Sequence, residues 1–218
     1  MKTIIFSRFS AKHRERESKQ IILNLIRQNK LVFTLTVFLF FGILFGAISA
    51  RYSDEQMLEN MDFLFASNFK ARLSLPLFNI FVASLSSSFV FLLCLFMMGS
   101  SIWGLAFIPT IPFFRGFGVG LTAGYLYSTY GFTGVAFHFL VLLPSVLISS
   151  VAIIIEAKES TIFSARLAAK IRPNSDFEKI WPNMKNYLTK TGYMLIALVV
   201  SALLDVFCTM TFAQHFSF

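Results

Sequence analysis

Residues 102–130 read IWGLAFIPTIPFFRGFGVGLTAGYLYSTY, and the fold turns on how often this stretch crosses a bilayer. It holds two prolines (Pro109 and Pro112), one charge (Arg115) and a run of glycines. Read as two half-helices, it is a re-entrant hairpin; read as one element, it is a long span kinked at Pro109/Pro112. The charges elsewhere in the chain decide. With a single crossing, residues 1–30 and 157–190 share a side and carry eight and seven Lys or Arg. The opposite side then has only Arg51, Lys70 and Arg72, and Arg115 stays within the membrane. A hairpin would move the seven basic residues to the outer face, against the bias of cytoplasmic loops toward Lys and Arg. The stretch therefore reads as one crossing, with the N-terminus cytoplasmic and the C-terminus outside.

Composition supports a membrane chain. Of 218 residues, 56% are hydrophobic and 14% charged, and 28 are Phe; the mean hydropathy is +0.70. A soluble domain of this size has too little interior to hide that much apolar surface, whereas a bilayer accepts it directly. On a soluble protein a net charge of +8 would suggest nucleic acid. Here the basic residues flank apolar segments, so the expected partner is membrane lipid and no nucleic acid.

Five spans follow, giving an all-α membrane protein in a single polytopic domain. A basic N-terminal segment, residues 1–30, leads into span 1 at 31–50, which reads as an uncleaved anchor because leader and apolar run are both too long for a signal peptide. The outer loop 51–74 opens with Ser53 and Gln56 in a capping-box pattern. Met57, Leu58, Met61, Leu64 and Phe65 then line one helical face, and Glu55, Glu59 and Asp62 the other. Such a helix lies in the interface and offers its acidic face to a partner. Span 2 is expected at 77–98, span 3 at 102–130, span 4 at 135–155 with Pro144 inside it, and span 5 at 193–213. A polar cytoplasmic loop, 156–190, separates the last two.

No motif for chemistry stands out. There is no H-E-x-x-H, G-x-S-x-G, P-loop or EF-hand pattern, so no catalytic, cofactor-binding or metal-binding residue is expected. Gly99-Ser100-Ser101 with His138 only caricatures a serine dyad. His13 and His215 read as solvated. Cys94 and Cys208 read as two buried thiols, too far apart in depth to bridge.

Four polar residues fall at membrane depth, where an ionisable group is a functional candidate by default. Glu156, beside Lys158, reads as a solvated helix end, and His138 as a hydrogen-bonded packing residue. Arg115 and Asp205 are each costly alone in hydrocarbon, so they are expected to pair or to line one polar crevice. Gly116, Gly120 and Gly124 fall on one face of span 3, as Gly42 and Gly46 do on span 1. Such ladders let helix backbones approach closely. The first reading is packing of spans 1 and 3 within the chain; the competing one is a homo-oligomer.

The order Phe113-Phe114-Arg115-Gly116-Phe117-Gly118-Val119-Gly120-Leu121-Thr122-Ala123-Gly124-Tyr125, the turn Tyr130-Gly131-Phe132, and a span with His138 and Leu143-Pro144 resembles the stage II sporulation protein M family. That resemblance implies a non-enzymatic scaffold in the bacterial cell membrane, serving engulfment during endospore formation. It also implies extracytoplasmic peptidoglycan hydrolases as partners, a lytic transglycosylase and an amidase/endopeptidase, which supply the catalysis. The alternative is a transporter or permease-type subunit, with broken span 3, Arg115 and Asp205 as a pathway. The absence of an internal inverted repeat counts against it.

Overall fold

The computed structural model describes residues 29–52, 76–169 and 180–212, and among these there is helix and no strand. Helix α1 (Lys30–Ser49) runs into a 3₁₀ turn (Ala50–Tyr52). Helix α2 (Leu77–Gly99), the short α3 (Gly104–Phe107) and the long α4 (Thr110–Phe137) follow. A π-helical turn (His138–Leu142) joins α4 to α5 (Leu143–Ala169), and α6 (Ile180–Phe212) closes the described chain. The expected amphipathic helix with Glu55, Glu59 and Asp62 lies outside the described residues, as do His13 and His215.

Contacts divide the chain at Thr34. In the first unit the described residues begin α1, where the Phe33 N–H donates to the Asn29 carbonyl (3.0 Å) and Thr34 Oγ1 donates to the Lys30 carbonyl (2.9 Å). The second unit runs from Leu35 onward.

Among the described residues, four stretches are long and apolar enough to cross a membrane: Lys30–Ser49, Leu77–Gly99, Gly104–Ala169 and Met184–Phe212. The third has 66 residues and would measure about 100 Å if straight, roughly three times the hydrocarbon thickness. It folds back instead. Gly131 adopts φ 57° and ψ −131°, a region that side-chain-bearing residues avoid and glycine enters freely. Residues at similar distances either side of it then meet. Leu126 packs with Phe137 and Val141, and Arg115 on one leg reaches Ser149 on the other.

The prolines expected to kink span 3 fall where a helix begins. Pro109 precedes the first residue of α4 and Pro112 lies in its first turn, where a missing N–H costs nothing because the helix has no acceptor for it. They separate α3 from α4. Pro144 sits just beyond the π turn, in which the Leu143 N–H donates to the His138 carbonyl. Proline cannot donate and its ring crowds the carbonyl four residues back; the wider turn relieves both.

Contact order along the helices gives their directions. Leu39, Ile43 and Ala47 of α1 meet Gly116, Gly120 and Gly124 of α4 in the same order, so these two run parallel. Gly99 of α2 meets Ser160 of α5 and Leu92 meets Ala152, so α2 and α5 are parallel too. Helix α6 opposes both: Tyr187 reaches Ser160, whereas Ser201 reaches the carbonyl of Ser145. The polar segment 156–190, expected as a loop, is largely helical. Helix α5 continues to Ala169 and α6 begins at Ile180, because each supplies the other with a polar packing face.

Candidate functional site

Two polar regions and one glycine seam organise the interior. The seam takes up the glycines of both ladders. A Cβ on Gly42 or Gly46 would strike the backbone of Phe113 or Phe117 on α4, and one on Gly116 or Gly120 would strike Leu39 or Ile43 on α1. Gly124 lies against Ala47 and Ala50. The two ladders interlock within one chain, which is the packing reading of the motif, and the Phe45 ring bridges Phe113 and Phe117 at 6.3 and 6.2 Å. The outward side of α1 is lined by Phe40, Phe41, Leu44 and Ile48, each about 60% exposed, as a lipid-facing surface requires.

The first polar region is a cavity of about 40 Å³ between α2, α4, α5 and α6. Arg115 and Asp205 both line it and are 7% and 1% exposed, which is the shared crevice expected of them. The Arg115 Nη2 donates to Ser149 Oγ at 2.7 Å and to Ser88 Oγ at 3.4 Å. Its guanidinium carbon stands 5.7 Å from the centre of the Phe91 ring, within cation–π range. The serines are suited to this. Ser149 and Ser145 donate their protons to the carbonyls of Val146 and Leu142, both at 3.1 Å, and Thr122 donates to Gly118 at 3.0 Å. Hydroxyls that return their hydrogen to their own helix present lone pairs to the cavity, so the lining accepts from a cation.

His138 also lines the cavity. Its Nδ1 is sealed from solvent and has no hydrogen-bond partner. A hydrogen-bonded packing residue was expected; this nitrogen carries no such bond, and a π turn begins at His138.

The second polar region lies at the Gly99 end of α2. Glu156 is fully buried rather than a solvated helix end, because α6 extends alongside it. Its Oε1 accepts from Thr191 Oγ1 at 2.8 Å. One turn further, Ser160 Oγ and Tyr187 OH are 2.9 Å apart, and Tyr187 OH also donates to the Phe96 carbonyl at 3.4 Å. The Tyr187 ring is stacked between Phe96 (5.5 Å) and Phe163 (4.6 Å). Gly99 admits the Tyr187 hydroxyl, where any Cβ would collide with it. At the rim, Lys190 Nζ donates to Glu159 Oε2 at 2.7 Å.

Sequence reading named the charges of these sites and missed their partners: Ser88, Ser145, Ser149 and Thr122 in the cavity, Ser160, Tyr187 and Thr191 at the other end. The signal was present in part, since Ser84 and Ser88, like Ser145 and Ser149, are spaced four apart on one helical face. The cysteines are both free, but Cys94 is exposed and only Cys208 buried; Cys94 falls on the side of α2 away from the bundle. Among the described residues no group of three His, Cys, Asp or Glu side chains is placed to hold a metal ion.

Comparison with curated proteins and with solved structures returns no match. The family described as Stage II sporulation protein M matches residues 35–210, the span that contains the glycine seam, the cavity and the buried Glu156. A match over that much of the chain identifies it: the protein belongs to the stage II sporulation protein M family and is a sporulation-related membrane protein.

Proposed function

We propose that this protein is a multi-pass scaffold of the bacterial cell membrane that anchors and localises peptidoglycan-degrading partners at the septum during engulfment. The family match over residues 35–210 carries this reading. On it the chain crosses five times, once in α1, α2 and α6 and twice in the folded-back 66-residue stretch, with the basic segments 1–30 and 157–190 cytoplasmic. Catalysis belongs to the partners, a lytic transglycosylase and an amidase/endopeptidase, and the chain itself is no enzyme. Docking falls on the outer end. The Gly131 turn presents Phe132 at 86% exposure there. Tyr52 is 85% exposed at that same end, since neighbouring Ala50 packs on Leu121. Loop 51–74 is long enough to add a docking segment and too short to be a wall hydrolase.

The test is a pull-down from sporulating cells with the hydrolases as bait, together with the engulfment phenotype of a deletion strain. Co-purification and arrested engulfment are expected. Failure to recover the protein, with normal engulfment in the deletion strain, would sink the scaffold reading. The second reading, a transporter or permease-type subunit, draws on the cavity with its two buried charges. An ATPase gene beside this one would favour it, and neighbouring sporulation genes the scaffold.

A further inference from the structure

The cavity between α2, α4, α5 and α6 has a chemistry that scaffolding does not call on. We propose that it is a hydrated site at which His138 exchanges protons with water inside the membrane. Volume comes first. At about 40 Å³ it has room for about three waters, since each needs roughly 10–15 Å³ on this measure. It is too small for an organic solute.

The lining selects the occupant. A dry cavity is apolar, whereas this one is bounded by Arg115, Asp205, His138 and the hydroxyls of Ser84, Ser87, Ser88, Ser145 and Ser149. An anion fits poorly, because the hydroxyl hydrogens of Ser145 and Ser149 are already given to Leu142 and Val146 and Asp205 would repel it. A metal cation fits poorly beside the guanidinium of Arg115. Water satisfies both demands, accepting from the guanidinium and donating to carboxylate and serine oxygens.

His138 supplies the independent observation. The residue lines the cavity and its buried Nδ1 has no hydrogen-bond partner in the protein, and buried polar groups of this kind call for bridging water. The π turn beginning at His138 is a feature frequent at functional positions. The charged groups that share the cavity with the imidazole are Arg115 from α4 and Asp205 from α6. Helix α2 brings only serines. Proton exchange is then simple: a hydronium in the cavity breaks one O–H bond as the imidazole lone pair forms N–H, leaving water, and the reverse step returns the proton.

The full chain, reconstituted in lipid bilayers with ¹⁵N-labelled histidine, tests this by solid-state NMR, the His138 ring signals being identified by their loss in His138→Gln. Two results are expected: magnetisation transfer from water to the His138 ring, and replacement of its ring N–H by N–D within minutes in D2O. Ser145→Leu, which fills the cavity, should weaken the transfer at least fivefold; if that variant does not fold, Ser84→Val serves. A wild-type His138 ring without water transfer, or one that keeps its N–H for days in D2O, overturns the proposal. So does transfer that survives filling of the cavity in a folded variant.

Discussion

The α1–α4 seam and the serine-lined cavity solve one problem by opposite means. Apolar surface gives helices no reason to associate in lipid, because the tails are as apolar as the side chains. The seam removes side chains: five glycines let two backbones touch, and dispersion between close atoms holds them. The cavity adds polar side chains, tying α2, α4 and α5 together through Arg115, Ser88 and Ser149. Helix α4 serves both, with Gly116 and Gly120 toward α1 and Arg115 toward the cavity. The seam depends on shape, and so should be intolerant of bulk and indifferent to charge. The cavity should behave the other way round.

Gly120→Leu is the hardest blow to the seam. Its new side chain meets the backbone of Ile43, which cannot swing aside, so the loss should be at least about 3 kcal/mol. Membrane-level protein should fall tenfold or more on quantitative immunoblots, with Phe41→Leu on the exposed side of α1 as an unchanged control. Tolerance of Gly120→Leu would show the seam to be loose.

Charge reversal probes the cavity. Arg115→Asp should cost about 3 kcal/mol, because it places a carboxylate at membrane depth beside Asp205. Thermal unfolding in detergent would read this as a lowered Tm. Recovery in the double variant with Asp205→Arg would show that the two charges are paired. No recovery would show that they share the cavity through other partners.

The smallest effect belongs to the far end of the bundle. Tyr187→Phe keeps the ring stack with Phe96 and Phe163 but removes the hydroxyl bonded to Ser160 and the Phe96 carbonyl. About 1 kcal/mol is expected, measured as a small Tm decrease. A loss as large as that of Arg115→Asp would mean that this end, rather than the cavity, dominates the bundle's polar cohesion.

The all-helical membrane class was legible in the sequence because it rests on properties additive along the chain. Apolar runs, missing charges and the spacing of Gly116, Gly120 and Gly124 need no partner to be read. Arg115 and Asp205 were legible as costs, since a charge in lipid is expensive wherever it points. Other features required the fold. Glu156 beside Lys158 looks like a solvated helix end until α6 is seen alongside it, and whether the glycines serve one chain or two depends on which helix faces them. Nothing local announces that Ser88 and Ser149, sixty-one positions apart, both receive Arg115. Sequence alone determined which residues are apolar, small or charged, and so which could face lipid, permit contact or demand a partner. Tertiary structure alone decided which partner each one found, because burial and hydrogen bonding belong to pairs of helices, and the turn at Gly131 is what brings two of those helices face to face.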